Sequence, residues 1–281
     1  MFCCNKGMCT AILGIEPGRP LLLAGIRDEL ADRAWQPPGA HWPDRPGVIG
    51  GLDLLAGGTW LAVAPATRRA ACVLNGRGRM AAAGSRRSRG VLPLDVAADG
   101  KLADADLAAF DPFHLLLAEP GRAVLWSWDG DRLAERELGQ GLHMVVNSGL
   151  AADLTGATGP AGSEGRAHEL ARLAHFLPRL RAAGRPDPVP SAPVADAWGA
   201  WLPLLNGDGI APEDPRALIV RRDLGGGRVW GTTSVSLVAL APDRLRCDFT
   251  GSPGDPEGWY QVPLATGPER RGTGQAGRQR A

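Results

Sequence analysis

The sequence has almost no net charge. Its 31 lysines and arginines are balanced by 30 aspartates and glutamates, which leaves a formal net charge of +1 over 281 residues. Binding to nucleic acid or to an acidic membrane requires a positive field over a whole face of a protein. The balance therefore excludes a strongly basic nucleic-acid or membrane-surface binder. Lysine itself is almost missing, with only Lys6 and Lys101, and we attribute this to the coding bias of a GC-rich, bacterial genome.

The chain also lacks the usual signatures of zinc sites, secretion and membrane spanning. Its five cysteines are Cys3, Cys4, Cys9, Cys72 and Cys247. They form no CxxC pair and no CxxC…HxxxH spacing, so no metal site is predicted. The chain has neither a sustained apolar stretch behind a basic start nor an uncharged apolar run approaching 18 residues. We therefore expect a cytoplasmic protein with free thiols and no membrane insertion.

What the sequence does contain is a succession of short apolar runs separated by glycine and proline. Residues 9–15 and 20–26 predict a β-hairpin, and further strands are predicted at 59–64, 70–74, 113–118, 123–128, 132–137, 142–146, 217–221, 229–240 and 245–249. Helices are predicted at 102–110, 163–183 and 194–205, and irregular loops at 34–47 and 76–90. Many strands with few crossover helices are typical of antiparallel sheets. The pattern predicts an α+β fold in which two sheets pack face to face with helices outside.

The domain organisation is expected to be simple, because nothing in the pattern requires two domains. We expect one domain over residues 8–264. Residues 1–7 are then a leader or a misassigned start, and the polar, arginine-containing residues 265–281 are a disordered tail.

Cys9 is the first candidate for chemistry, because it follows Met8 at the start of the first predicted strand. A methionine before a small residue is readily removed, which would leave Cys9 with a free α-amine. An α-amine has a pKa of about 8 and can take the thiol proton itself or through water, which turns such a cysteine into a nucleophile. The alternative is that Cys9 is an ordinary buried strand residue, since cysteine is among the most buried residue types.

Several short motifs together resemble the NRDE family, whose animal member is known as transport and Golgi organisation protein 2. The motifs that carry the resemblance are Met8-Cys9-Thr10, Gly25-Ile26-Arg27-Asp28-Glu29, Trp42-Pro43-Asp44, Gly51-Leu52-Asp53, Gly57-Gly58-Thr59-Trp60-Leu61, Val73-Leu74-Asn75, Arg87-Ser88-Arg89-Gly90 and Gly231-Thr232. The resemblance runs from residue 8 to about residue 264. Two positions depart from it: Ile26 stands where the family has asparagine, and Thr233 stands where many relatives have arginine.

The family is in turn similar to N-terminal-nucleophile hydrolases of the bile-salt and penicillin amidase kind, which are four-layer αββα sandwiches. This resemblance implies Cys9 as the nucleophile and Asp28 as the acid that orients it. It also implies that Asn75 and Asn147 stabilise the oxyanion, and one such donor is worth about 10²–10³ in rate. Taken alone, Asp28 would be a strand-end partner of Arg27, and both asparagines would be ordinary turn residues.

Three further residues are candidates for ligand binding. Arg27 adjoins Asp28, Trp60 is one of nine tryptophans that suggest a pocket for a flat or apolar ligand, and His143 is a candidate haem ligand. Each has a structural alternative, namely an ion pair, a core position and a structural histidine. The arginines at 77, 79, 86, 87 and 89 predict a solvated loop that phosphates would also suit.

Two functions are therefore predicted. The first is a cysteine hydrolase of small amides, esters or acyl-thioesters that requires no cofactor. The second, implied by the family's links to intracellular haem movement and to lipid or acyl-coenzyme A metabolism, is a non-catalytic carrier of haem or acyl-coenzyme A ligands. A scaffold without small-molecule chemistry is the third alternative. The expected partner is a small molecule, and the sequence leaves the substrate and the oligomeric state open.

Overall fold

The computed structural model describes residues 9–103, 106–154 and 164–264, and these residues form two antiparallel sheets with helices on their outer faces. The predicted leader at 1–7 and the predicted tail at 265–281 lie outside the described residues.

The described part of the chain contains fifteen strands. They are β1 (Thr10–Ile15), β2 (Leu21–Leu30), β3 (Trp35–Gly39), β4 (Ile49–Asp53), β5 (Leu61–Ala64), β6 (Arg69–Asn75), β7 (Phe113–Glu119), β8 (Arg122–Trp128), β9 (Leu133–Leu138), β10 (Gly141–Val146), β11 (Gly149–Leu150), β12 (Arg221–Asp223), β13 (Val229–Leu240), β14 (Leu245–Thr250) and β15 (Trp259–Gln261).

The first sheet combines the two ends of the described chain, and the second is a continuous meander. The first sheet has the order β11-β10-β1-β2-β13-β14-β15, with β12 paired to β13. The second has the order β3-β4-β5-β6-β7-β8-β9, so every strand pairs with its neighbour in sequence. Strands β1 and β2 therefore lie inside the first sheet, where β13 and β10 cover their edges.

The helices lie on both sides of this pair of sheets. They are α1 (Val91–Asp99), α2 (Ala151–Leu154), α3 (Glu164–Ala182), α4 (Val194–Trp198) and α5 (Trp201–Leu205). Helix α1 packs on the outer face of the second sheet, and helices α2 to α5 pack on the outer face of the first. The layers thus follow the order helix, sheet, sheet, helix, and the predicted α+β fold with two antiparallel sheets is confirmed.

Strand β1 shows how the sequence divides its side chains between these layers. Ala11, Leu13 and Ile15 lie in the apolar core between the sheets, whereas Ile12 lies in the core under helices α3 to α5. This alternation is the two-residue period of a strand that is buried on both faces.

Three predicted segments were wrong. Of the strand expected at 217–221, only Arg221 lies in a strand, which is β12. The helix expected at 102–110 lies at 91–99 instead, where Pro93 falls in the first turn and Gly100, with φ of 73°, ends the helix. Residues 107–109 form only a 3₁₀ turn, in which the N–H of Ala108 donates to the Asp106 carboxylate. The loop expected at 34–47 contains strand β3, which tolerates its two prolines because it is the edge strand of the second sheet.

The predicted helix at 194–205 is divided into α4 and α5 at Gly199, whose φ of 47° and ψ of −130° are not helical. The helix predicted at 163–183 is confirmed from residue 164 to residue 182, and it continues through Pro178.

Two glycines of the sequence motifs lie where neighbouring segments approach closely. A Cβ atom on Gly58 would lie 2.5 Å from the carbonyl carbon of Gly90, where the Thr59 N–H also donates to the Gly90 oxygen at 2.9 Å. A Cβ atom on Gly25 would lie 2.9 Å from Cδ1 of Leu61 in the facing sheet. Both positions exclude a side chain because another segment already fills its space.

Candidate functional site

Cys9 immediately precedes β1 and directs its side chain into the space between the two sheets. The next residue, Thr10, pairs with Ile26 of β2 on one side and with Val146 of β10 on the other. The Cys9 thiol donates to the backbone oxygen of Asp28 at 3.6 Å and accepts from its N–H at 3.5 Å. The structure therefore brings Cys9 and Asp28 together, but through the backbone of Asp28.

A very small cavity adjoins the Cys9 thiol. It is lined by Gly25, Arg27, Trp60 and Cys72 as well as by Cys9, and its volume is about 10 Å³. This volume is at the lower limit of what a single water molecule requires. The side chains predicted for ligand binding, Arg27 and Trp60, thus lie next to the predicted nucleophile, in a space that is closed to any larger ligand.

The Cys9 thiol is protonated in this arrangement. Burial, followed by the negative charge of Asp28, raises the pKa of the thiol to about 12, although the Asp28 N–H and the charge of Arg27 act in the opposite direction. Because the thiolate and not the thiol is the nucleophile, the residue is unreactive in this state at neutral pH.

The Arg27 guanidinium lies on the same side of the first sheet as Cys9. Its carbon is 4.5 Å from the centre of the Trp60 ring, which is cation–π contact distance. Nη1 donates to Oγ1 of Thr233 at 2.8 Å, and Nη2 lies 3.6 Å from Asp53 and 3.7 Å from Glu29. Arg27 is only 5% exposed, so this cluster fixes a positive charge close to the sulfur.

The Asp28 carboxylate lies on the opposite side of the sheet, under helix α3. Its Oδ1 accepts from the Thr232 hydroxyl at 2.6 Å, and its Oδ2 lies 3.8 Å from Nη1 of Arg172. Burial raises the pKa of Asp28 to about 6, against the opposing effects of Arg172 and of the Thr232 hydrogen bond. This carboxylate is therefore close to its titration point in the neutral range, unlike an exposed aspartate.

Helix α3 supplies two further buried charges that the sequence interpretation did not identify. Arg172 is fully buried and donates from Nη1 to the Thr10 hydroxyl and from Nε to the Ala217 oxygen, both at 2.8 Å. Glu169 is also fully buried, and its carboxylate pairs with Arg77 at 3.1 Å. Charged residues are almost never fully buried without partners, so this pair forms part of a connected polar network.

A signal for these two residues was present in the sequence. Glu169 lies four residues before Leu173, and Arg172 lies four residues before Phe176. This spacing places both charged residues on the apolar face of the predicted helix rather than on its polar face. A charged pair on the apolar face of an amphipathic helix indicates a buried partner elsewhere in the chain.

A β-bulge in β13 directs two adjacent threonines to opposite sides of the site. Thr232 pairs with Asp28 and Ser234 pairs with Arg27, so Thr233 is the extra residue. The Thr232 hydroxyl contacts the Asp28 carboxylate, and the Thr233 hydroxyl contacts the Arg27 guanidinium. Bulges are common beside active sites because they redirect side chains in this way.

The two predicted asparagines contact each other. Nδ2 of Asn147 donates to the backbone oxygen of Asn75 at 2.9 Å, and this bond joins the two sheets. Asn147 follows Val146, the partner of Thr10, so the register places it beside Cys9 on the neighbouring strand. His114, which the sequence interpretation omitted, contacts the Asn147 oxygen through Nε2 at 3.3 Å. Burial lowers its pKa, so the ring is neutral.

His143 does not belong to this cluster. It pairs with Leu13, four residues along β1 from Cys9, which corresponds to about 13 Å. Its Nε2 lies 2.8 Å from the backbone oxygen of Gly139.

The arginine loop is exposed, as the sequence predicted: Arg77, Arg79, Arg86 and Arg87 lie on the surface, and Arg89 is partly buried. Arg77 donates to Ser148 at 2.8 Å and pairs with Glu169, and Arg79 pairs with Asp131. These bonds attach the loop to the body of the protein and extend the polar network to its surface.

Within the ranges that the structure describes, no group of three histidine, cysteine, aspartate or glutamate side chains is placed to hold a metal ion. No helix in the same ranges has the length and apolar character needed to cross a membrane.

The arrangement can perform chemistry only if the thiol gains a base and the small cavity opens. With a base present, the thiol at the head of an interior strand would supply the nucleophile and the Asn147 amide on the neighbouring strand an oxyanion donor for acyl transfer.

Comparison with known proteins supports the family that the motifs suggested. A search of curated proteins gives no match to this chain. The profile of the family described as Transport and Golgi organisation 2 matches residues 8–158, which is more than half of the chain and includes Cys9, Asp28, Asn75 and Asn147. The chain belongs to the Transport and Golgi organisation 2 family.

Proposed function

We propose that this chain is a cysteine hydrolase of the N-terminal-nucleophile type that acts on small amides, esters or acyl-thioesters. The observation that supports it best is the position of Cys9 at the head of an interior strand, with a buried guanidinium on the same face. The helix–sheet–sheet–helix layering is the architecture that such enzymes have. In this proposal Cys9 is the nucleophile once it is the first residue of the chain.

The proposed reaction begins with proton transfer within Cys9 itself. The free α-amine takes the thiol proton, and the thiolate attacks the carbonyl carbon of the substrate. The second N–H of the Asn147 amide, whose first bonds to Asn75, stabilises the oxyanion. The protonated amine then gives its proton to the leaving nitrogen, oxygen or sulfur, which leaves an acyl-thioester on Cys9. Water, deprotonated by the amine, attacks this thioester, releases the carboxylic acid and restores the thiol.

Because the pKa of the Cys9 thiol is raised, removal of the residues before Cys9 must also lower this pKa for the thiol to react. An ammonium group beside the sulfur opposes the desolvation that raises the thiol pKa, because a nearby positive charge favours the thiolate. Asp28 contributes through its backbone contacts to the sulfur, while Arg172 and Thr232 hold its carboxylate in place. Asp28 is therefore a positioning residue in this proposal and does not transfer the proton.

The test compares the full chain with a chain that begins at Cys9. Both are incubated with small acyl-thioesters and amides, and intact mass is measured together with product release. We expect an acyl adduct and turnover only for the chain that begins at Cys9, and their loss in Cys9→Ala. Cys247→Ala is the matched control, since Cys247 is a buried cysteine in the core between the same sheets. A folded chain that begins at Cys9 and shows neither adduct nor turnover would refute the proposal.

A carrier of haem or acyl-coenzyme A is the second proposed function, and it requires no thiolate at Cys9. Because His143 and Cys9 are about 13 Å apart along the sheet, they cannot both ligate one haem iron. The same preparations decide between the functions. Saturable binding of haem or acyl-coenzyme A that persists in Cys9→Ala, without turnover, supports the carrier. The absence of binding excludes it.

A further inference from the structure

We infer that the protein has a second small-molecule site at the opposite end of β1, built to bind a monocarboxylate with an apolar body. The cavity there has a volume of about 390 Å³ and is lined by the end of β1, the start of β10, the last turn of α3 and the first residue of α5. This volume lies within the range of small-ligand sites.

The new site is separate from the Cys9 site. The strand between them is six residues long, so their ends are about 20 Å apart. The two sites also lie on opposite faces of the first sheet: Trp201 and Leu180 of the new site belong to the core under the helices, whereas Cys9 contacts the core between the sheets.

Two hydrogen-bond donors at this cavity lack an acceptor. Trp201 is 2% exposed, and its Nε1 has no hydrogen-bond partner within the described residues. Arg185 is held by bonds from Nη2 to the backbone oxygens of Gly14 and Pro20, but its Nη1 is buried without a partner. A buried donor without an acceptor is costly, and both of these donors belong to residues that line one cavity, so a ligand with an acid group is the acceptor that we infer for them.

The charges around the cavity favour a monoanion. Arg181 and Arg185 contribute two positive charges, and the Glu16 carboxylate, 3.6 Å from Nε of Arg185, contributes one negative charge. The remaining charge is +1, which matches one carboxylate better than a phosphate dianion. Two donors also suit the two oxygens of a carboxylate.

Apart from the polar Gln140, the rest of the lining is apolar or glycine and fits the body of such a ligand. Leu142 and Leu180 line the cavity together with the Trp201 ring. A Cβ atom on Gly14 would lie 3.3 Å from the Trp201 ring, so this glycine leaves the space in which the ring packs against β1. The site thus combines an apolar wall with donors for an acid group, which is the usual composition of a small-ligand site.

The test is a calorimetric titration of the full chain with phenylacetate and hexanoate, beside phenylacetamide and phenyl phosphate. We expect saturable binding of the carboxylates, weaker binding of the amide and the phosphate, and a loss of about tenfold or more in Trp201→Phe, which removes one donor and keeps the ring. Arg181→Met should also weaken binding. Trp259→Phe is the matched control, because the Nε1 of Trp259 is buried without a partner away from this cavity.

Three results would overturn the inference: no saturable carboxylate binding at millimolar concentrations, equal binding of phenylacetamide, or equal losses in Trp201→Phe and Trp259→Phe. The site is independent of the proposed hydrolase, so Cys9→Ala should bind phenylacetate as the unmodified chain does.

Discussion

The buried carboxylate of Asp28 should make the stability of this protein depend on pH in an unusual direction. Its pKa is raised from 3.8 to about 6, mainly by burial. The folded state therefore holds this proton more tightly than the unfolded state does. The contribution to stability is fully present below the unfolded pKa and is lost as the pH rises through about 6. Most aspartates act in the opposite direction.

The size of the effect follows from the shift. Two pKa units at about 1.4 kcal/mol each correspond to roughly 3 kcal/mol over the whole titration. Between pH 4.5 and pH 7.5 about 2 kcal/mol of this should be lost, because the unfolded carboxyl is already mostly ionised at pH 4.5. The positive charges that act on the carboxylate are those of Arg172, Arg222 and Arg27. Each lowers the pKa of Asp28 and so reduces the stability that is lost when the carboxylate ionises.

The measurement is a series of urea unfolding curves for the unmodified chain and for Asp28→Asn between pH 4.5 and pH 7.5. The difference in unfolding free energy should move by about 2 kcal/mol in favour of Asp28→Asn as the pH rises. His114 and His168, whose pKa values are lowered by burial, change stability in the opposite direction, but they are present in both proteins and cancel in the difference. Asp243→Asn, at an aspartate side chain 73% exposed, is the control.

A difference that stays constant across this range, or one that moves in favour of the unmodified chain, would show that the Asp28 carboxylate is not desolvated as the structure describes.

Two further predictions concern the polar network and the close approach of the layers. Arg172→Met should lower the free energy of unfolding by about 3–5 kcal/mol in urea titrations, because it removes the cation that faces the buried Asp28 carboxylate. Arg179→Met, at a half-exposed side chain, should change the free energy of unfolding by less than about 1 kcal/mol. An equal effect of the two substitutions would contradict the buried network. Gly58→Ala should cost about 1–3 kcal/mol because its Cβ would meet the Gly90 backbone, whereas Gly84→Ala has open space and should leave the melting temperature unchanged. A neutral Gly58→Ala would contradict the close approach.

Local patterns in the sequence were sufficient for most of the fold. The hairpin of β1 and β2, the strands from 113 to 146 and the long helix were predicted from apolar periodicity and turn residues, because these features depend on neighbours in sequence. The wrong helix at 102–110 arose because α1 is mostly buried and therefore lacks a clear polar face. Strand β3 was missed because its prolines are acceptable only at the edge of a sheet, which the sequence does not reveal.

The candidate site was predicted only in part. The sequence identified Cys9, Asp28, Arg27 and Trp60, because the hairpin and the motifs place them close together. It did not identify Arg172, because its role depends on which face of helix α3 meets the first sheet.

The sequence by itself determined that Cys9 and Asp28 lie on adjacent strands, since a short turn fixes their register. Only the tertiary structure decided the chemical state of these groups. Thr232, 204 residues from Asp28, and Arg172, 162 residues from Thr10, meet the site after the two ends of the chain join in one sheet. Desolvation and charge pairing, which set the pKa of Cys9 and of Asp28, are properties of that packing and of no local segment.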